Sequence, residues 1–551
     1  MHSQSAQYDI IFAGGGSTAC VVAGRLAAAD NTLRILIVEN GRLTKEHPVH
    51  IQPGRFLENM RAGGETFTSV NAMMYTRAAA SDYDDWMRLG NPGWGAADLI
   101  PLAQKLETYQ AGEVNSTHGA SGPIKVSHGR YETQTGKDFL VSAAAFPRGR
   151  SFSEDVNDFY TCDVYGKWPK YIDTQTGRRS DTPHNYVYNQ SENKNLVVLD
   201  HARVKRVLFD TDKRAVGIEY QVGGKESAFC SPAILQRSGI GAKAILEKYG
   251  IQIVSDLLGV GQNYNDHTAV MPSYLGPDDV VTMNSLAHDK EGVFKAQWIR
   301  NGTGPLAANG LDCGIKLRAN AQDLTQLTPL FTRRWETFFA NAPDKAMVFV
   351  GCWAASFGTT DEPRGIYSFP YFSLYPMSTG YVQIQSGDPF APLEIESGLF
   401  DKKEDLLVVR WAYKWSRELA RRMESFRGEY APAHPAFPKG SRAACITRAS
   451  GPLDRSAPEI EYSPSDDEAI DAYHRASAVV EWHSLGTCAM KPRDQMGVVD
   501  PQLNVYGVKN LKIADLSIAP LNVGANTYNT ALIVGEKAAV IIAAELGING
   551  V

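Results

Sequence analysis

The sequence predicts an α/β fold that opens with a dinucleotide-binding unit, and three observations carry that reading. The apolar residues 8–13 lead into Gly14-Gly15-Gly16-Ser17-Thr18-Ala19. Val21, Val22, Leu26 and Ala27 then recur at helical spacing. A second apolar run, residues 33–38, ends on an acid, Glu39. Strand, glycine turn, helix, strand, acid is the dinucleotide fingerprint in the context it requires.

Each element has a physical role. Gly14 permits the tight turn, and Gly16 lets the backbone approach a pyrophosphate. Ala19 is small enough for the helix to pack close on the strand. The phosphates would sit at the helix start, at Ser17 and Thr18, where free amides and the helix dipole favour anions. Glu39 would accept hydrogen bonds from ribose hydroxyls. FAD and NAD both fit that pattern, and the acid disfavours the extra phosphate of NADP.

With 551 residues the chain exceeds one small core and predicts several domains or sub-domains. Its 55 basic and 61 acidic side chains leave a net charge of −6 with no long run of one sign, which excludes an obvious nucleic-acid partner. The pairs Arg178-Arg179 and Arg421-Arg422 read as solvated faces. Seven cysteines without CxxC spacing argue against a disulfide framework or a zinc site, and no metal is expected. The first residues lack a basic segment followed by an apolar one, and no apolar stretch has the length of a membrane span. A soluble intracellular protein is expected, cytoplasmic or peroxisomal, although Gly550-Val551 is not a peroxisomal ending.

Chemistry-bearing blocks lie further along. Residues 71–77 read Asn-Ala-Met-Met-Tyr-Thr-Arg, and residues 80–86 read Ala-Ser-Asp-Tyr-Asp-Asp-Trp. Gly259-Val260-Gly261-Gln262-Asn263 is followed by Asp266-His267, and Gly302-Thr303-Gly304-Pro305-Leu306 comes next. Toward the end stand Trp482-His483-Ser484-Leu485-Gly486-Thr487, Ala514-Asp515-Leu516-Ser517 and Asn526-Thr527-Tyr528. In this order the blocks resemble the glucose–methanol–choline (GMC) oxidoreductase family, with the closest likeness to its fungal alcohol (methanol) oxidase branch. The resemblance runs over nearly the whole chain.

That resemblance implies FAD, held in a Rossmann-like domain assembled from separated segments, and a second α+β substrate domain built on an antiparallel sheet. The implied division is 1–150, 186–270 and 476–551 for FAD binding, 271–475 for substrate, and 151–185 as a substrate-side insertion. The Tyr- and Phe-rich residues 365–384 suit sheet strands, and residues 404–422 have helical apolar spacing. The implied reaction is oxidation of a primary alcohol to the aldehyde, with molecular oxygen as acceptor and hydrogen peroxide as product.

His483 is the expected base, because imidazole titrates near the operating pH and can sit within reach of the substrate hydroxyl. Asn526 takes the family position that orients the substrate oxygen. Asn71, Ala72, Met73, Met74, Val204, Trp482, Asp515 and Thr527 complete the cofactor-binding set that the resemblance implies. Val204 would lie on the strand meeting the adenine, and Asp515 near the ribityl or pyrophosphate part. An N-cap acid is the rival reading of Asp515. His267 reads as structural and outside the chemistry. The partners are a small alcohol and oxygen, with no nucleic acid and no membrane; a homo-oligomer is compatible with the sequence.

The chain also departs from the family. The flavin-covering loop is shortened and rebuilt around residues 60–70, and a buried strand is missing around residues 223–232. A third loss falls between Arg442 and Glu459. Losing a central strand would expose its neighbours' edges. Ala72 replaces an aromatic, which implies a roomier pocket, so methanol is not expected as the preferred substrate. A flavin-poor homologue, acting as a lyase or without redox activity, is the alternative reading; an NAD-linked dehydrogenase is a third.

Overall fold

The apolar runs around the glycine turn form β1 (Ile10–Ala13) and β2 (Ile35–Val38), joined through helix α1 (Ser17–Ala29). The structure is a computed structural model that describes residues 7–61, 71–223, 230–289, 291–327, 329–356 and 365–551. β1 pairs in parallel with β2, matching Ile10 with Ile35 and Ala13 with Val38. On its far side β2 pairs in parallel with the strand Leu196–Leu199. All four residues of β2 are buried, as a run covered on both faces should be.

β1 is less protected. Among the described residues its sheet has three strands in the order β1, β2, Leu196–Leu199, so β1 stands at the edge. Its burial alternates, and Ile11 is 36% exposed. Residues 224–229 of the segment 223–232 expected to lack a buried strand, and residues 62–70 of the rebuilt loop, lie outside the described residues.

The N- and C-terminal parts of the chain pack together through α1. It crosses the C-terminal helix Tyr528–Leu546 so closely that a Cβ on Gly535 would lie 2.8 Å from the Val21 Cβ. Thr18 Oγ1 donates to Ala531 O at 3.1 Å. Arg25 holds the buried Glu536 through Nη2 at 2.7 Å and Nε at 2.9 Å, and the Tyr186 hydroxyl donates to the same carboxylate. Breaking such a buried pair by removing one partner costs about 3–5 kcal/mol.

The other large layer is a ten-stranded, mainly antiparallel sheet drawn from residues 151–480. Leu311–Leu317 and Val348–Trp353 are its fully buried centre. The Tyr- and Phe-rich segment supplies the strands Ile366–Ser368 and Tyr371–Ser373, as expected. The helix Lys403–Ala420 lies against Tyr371–Ser373 and Val348–Trp353, burying Leu406, Val409, Trp411, Trp415 and Leu419. The arginine pairs are not the solvated faces the sequence suggested. Arg179, Arg421 and Arg422 are buried, and Arg422 Nη1 is paired with Glu418. Arg178 alone keeps an exposed partner, Glu46. No helix among the described residues is long and apolar enough to cross a membrane.

Candidate active site

His267 and His483 are brought together by sheet register. Thr268–Val270 pairs antiparallel with Val479–Val480, matching Thr268 with Val480. Further along, Asn265 bridges Leu485. Between those two pairings one segment takes three steps and the other five, so two extra residues bulge from residues 480–485. Trp482 absorbs the distortion at φ +56°, in the left-handed region. Such a conformation costs a non-glycine residue about 1–3 kcal/mol.

Asp266 offsets that strain. Its carboxylate accepts the backbone N–H of His483 at 3.0 Å and of Glu481 at 3.1 Å. It also accepts the hydroxyls of Ser484 at 2.7 Å and Tyr264 at 3.1 Å. Hydrogen bonds to an ionised acceptor are roughly twice as strong as neutral ones, so Asp266 fixes the turn that presents His483.

The ring of His483 is buried and its proton positions follow from its neighbours. His267 Nε2 lies 3.0 Å from Val523 O, a carbonyl that can only accept. His267 Nε2 therefore carries the proton and its Nδ1 presents a lone pair. His483 Nδ1, at 2.8 Å, must then donate to it, which leaves His483 Nε2 as a bare lone pair. Burial, and secondarily His267, holds the His483 pKa well below the usual histidine range, so the ring is neutral. Phe372 packs edge-on against it at 5.6 Å.

Asn526 Nδ2 stands 3.1 Å from His483 Nε2. The loop before the C-terminal helix carries Asn526, and the helix Ala80–Arg88 clamps that loop. Asp82 accepts the Gly524 N–H at 2.9 Å, the Trp86 indole donates to Leu521 O at 3.2 Å, and the Tyr83 hydroxyl meets Thr530 Oγ1 at 3.2 Å. Asp82 is itself paired with the buried Lys345. A neutral imidazole lone pair beside an amide donor complements one hydroxyl, which can donate to the first and accept from the second.

The glycine unit presents a second, separate surface. Gly14 has φ +110°, and a Cβ placed on Gly14 or Gly16 would meet nothing within 4 Å. The backbone there faces open space. No side chain caps α1, so its first amides point outward at Ser17 and Thr18. Glu39 accepts from Gly15 N at 2.6 Å through Oε2 and from Gly41 N at 2.7 Å through Oε1, and each oxygen keeps a lone pair for another donor. This donor set suits a dinucleotide with an unphosphorylated ribose. Buried Arg179 adds an orphan: Nη1 donates to Asn71 O at 3.1 Å, while Nη2 has no hydrogen-bond partner.

The other expected residues fall into recognisable places. Val204 is buried with Leu36, Val38 and Ala202, next to Glu39. Asn71 Nδ2 reaches Glu481 O at 3.4 Å, joining its block to the bulge. Met73, at φ +58°, and Met74 are buried, and Asn309 donates to Ala72 O. Trp482 is 52% exposed. Asp515 caps the short 3-10 turn Leu516–Ile518 and also accepts the Ser231 hydroxyl at 2.5 Å. Thr527 is buried at the start of the C-terminal helix.

Sequence reading missed three things here. His267, set outside the chemistry, touches the His483 ring. Asp266 and Thr76 were not given roles, although both hold the pair directly. A separate group, His50, Asp181 and His184, has the donor types of a metal site. In this structure both imidazoles hydrogen-bond Asp181, and His184 Nε2 also lies 2.8 Å from Lys45 O.

Comparison with known proteins identifies the family and the fold. Two GMC oxidoreductase family models match residues 8–269 and 376–535. The alcohol oxidase of Candida boidinii is 36% identical over 641 residues, covering 99% of this chain and 96% of that protein. The alcohol oxidase of Pichia angusta is 36% identical over 642 residues, with the same coverage. Both alignments are longer than the 551-residue chain, so these relatives carry residues with no counterpart here. A formate oxidase variant from Aspergillus oryzae RIB40 shares the fold at a TM-score of 0.82, with 21% identity and 98% of each chain covered. An FAD-dependent oxidoreductase from Chaetomium thermophilum matches at 0.78, with 24% identity, over 98% of this chain and 100% of that one. The chain belongs to the GMC oxidoreductase family.

Proposed function

We propose that the protein is an FAD-dependent alcohol oxidase that converts a primary alcohol and oxygen into the aldehyde and hydrogen peroxide. One observation carries this reading: a buried, neutral His483 has its Nε2 lone pair directed at the amide donor of Asn526, 3.1 Å away. The two relatives named alcohol oxidase, aligned over nearly the full chain, support it.

Gly14, Gly16, Ser17, Thr18 and Glu39 would hold the dinucleotide, with Val204 beside the adenine end. Asn71, Ala72, Met73, Met74, Trp482, Asp515 and Thr527 would flank the remainder. FAD, when bound, supplies the hydride acceptor and the route for two electrons to oxygen. The protein's own part is proton transfer and orientation. The substrate hydroxyl donates to His483 Nε2 and accepts from Asn526 Nδ2. His483 takes the hydroxyl proton as negative charge grows on the oxygen, and the amide donor stabilises that charge. Phe372 and the surrounding core exclude water from the ring and keep it neutral until then.

The test is an absorbance scan of purified protein for flavin bands, followed by peroxide release with a series of primary alcohols. Colourless protein that takes up no FAD on reconstitution would overturn the reading. So would NAD reduction by an alcohol without peroxide, or cyanohydrin cleavage that survives flavin removal in the absence of alcohol oxidation.

A further inference from the structure

Thr76 is fully buried and lies in the residue block 71–77, more than four hundred positions from Asn526. Its Oγ1 makes two contacts, both with Asn526. The Asn526 backbone N–H is 2.8 Å from Oγ1, and Asn526 Oδ1 is 2.8 Å from the same oxygen. A backbone N–H can only donate, so it takes a hydroxyl lone pair, and the single hydroxyl proton goes to Oδ1. The carbonyl end of the amide is thereby tied to Thr76.

The other end faces His483 Nε2 at 3.1 Å. That nitrogen is a lone pair, because the chain of bonds from Val523 O through His267 fixes both ring tautomers. An amide turned over would set Oδ1 against that lone pair, two acceptors in contact, and would take Oδ1 away from the Thr76 hydroxyl proton that it accepts. Both ends of the network therefore select the same amide orientation.

We propose that Thr76 is a positioning residue for the oxidation, setting the donor end of Asn526 toward the reacting oxygen. This rests on the alcohol-oxidase reading and deepens it, since it assigns the amide orientation to a residue that touches neither substrate nor base. Without the hydroxyl, only the His483 lone pair selects the donor end, and that selection is lost as His483 Nε2 takes the substrate proton, so Asn526 can then present its carbonyl oxygen. It then repels the oxygen of a forming alkoxide instead of stabilising it. The defect falls on the charged transition state more than on the neutral bound alcohol, and so on kcat more than on KM.

The experiment compares Thr76→Val, which keeps the shape and removes the hydroxyl, with Thr76→Ser, which keeps the hydroxyl and removes a methyl. Each is made in the wild-type and the Asn526→Ala backgrounds. Flavin content and thermal midpoint are measured beside kcat and KM. The expected result is a kcat loss of about tenfold or more for Val with KM changed less, and recovery to near wild type for Ser. In the Asn526→Ala background, Val should add little further loss, because the group it positions is gone.

Unchanged kcat in Thr76→Val would overturn the proposal. So would an equal loss in both backgrounds, which marks a role independent of Asn526. If Val does not fold, Ser decides: near-wild-type kcat supports the hydroxyl's role, and a tenfold loss on removing the methyl alone overturns it. Wild-type protein without alcohol oxidation would instead overturn the functional reading itself.

Discussion

The Nδ1 atoms of His267 and His483 lie 2.8 Å apart, so one of the two must carry a proton and the other cannot. The carbonyl of Val523 decides which: it accepts the Nε2–H of His267 and thereby leaves Nε2 of His483 without a proton. A buried backbone group thus sets the protonation pattern of the reactive face two rings away.

Replacing His267 with Ala removes that constraint. His483 can then carry its proton on Nε2, where it blocks the substrate hydroxyl. We expect kcat to fall about tenfold to a hundredfold, and His483→Ala to cost about a hundredfold to ten-thousandfold, the usual range for a positioned general base. Steady-state peroxide release by flavin-loaded variants measures both. Equal losses in the two variants would mean that His267 does more than orient its neighbour.

Acid should destabilise the fold well before it titrates surface carboxylates. Burial lowers His267 and His434 to about 4 and His474 to about 3. Unfolding releases these rings to bind protons near pH 6.5, so the unfolded state takes up protons that the native state refuses. Their stabilising contribution is full above pH 6.5 and is lost as pH falls toward 4. Thermal midpoints should drop steadily across that window, while kcat/KM stays level through neutral pH because His483 is already neutral.

Glu481 has the opposite sign. Desolvation, with Asp266 nearby, raises its pKa to about 8, and its Oε2 is buried without a hydrogen-bond partner. The native state holds this proton above the pH at which the unfolded chain releases it. Glu481 therefore costs stability increasingly as pH rises from about 4.5 to 8. Glu481→Gln should raise the thermal midpoint at pH 8 and above and leave it little changed at pH 5. A uniform shift at both pH values would contradict this.

Gly16 separates cofactor binding from folding. Its φ is −63°, an angle any residue adopts, and a Cβ there meets nothing within 4 Å. Gly16→Ala should fold with an unchanged thermal midpoint in the FAD-free state. The added methyl enters the open space before α1, so FAD affinity should fall by at least about tenfold on fluorescence titration. Gly14→Ala is the contrasting control, strained by φ +110° whether or not cofactor is present.

Local pattern carried much of this structure. The order of strand, glycine turn, helix and acid at residues 8–39 needs only neighbours in sequence, and it reads correctly there. The helix at 403–420 shows itself by apolar spacing, and the strands at 366–373 by aromatic content. The arginines at 179, 421 and 422 misled for the same reason. Asn71 O and His50 O, which take the Arg179 guanidinium, lie more than a hundred positions away, and Glu418, one helical turn before Arg422, does not by itself say that the pair will be buried.

The sequence by itself determined which chemical groups the protein has: a glycine turn with Glu39, the His483 imidazole and the Asn526 amide, on an α/β scaffold. Only the tertiary structure decided how those groups act. Sheet register placed His267 on His483, the two-residue bulge gave Asp266 a turn to hold, and Thr76 fixed the Asn526 amide from the opposite end of the chain. A hydrogen bond's direction depends on what lies at the far end of its network. Here that end is the carbonyl of Val523, a group identical at every position of the sequence and distinguished only by where the fold puts it.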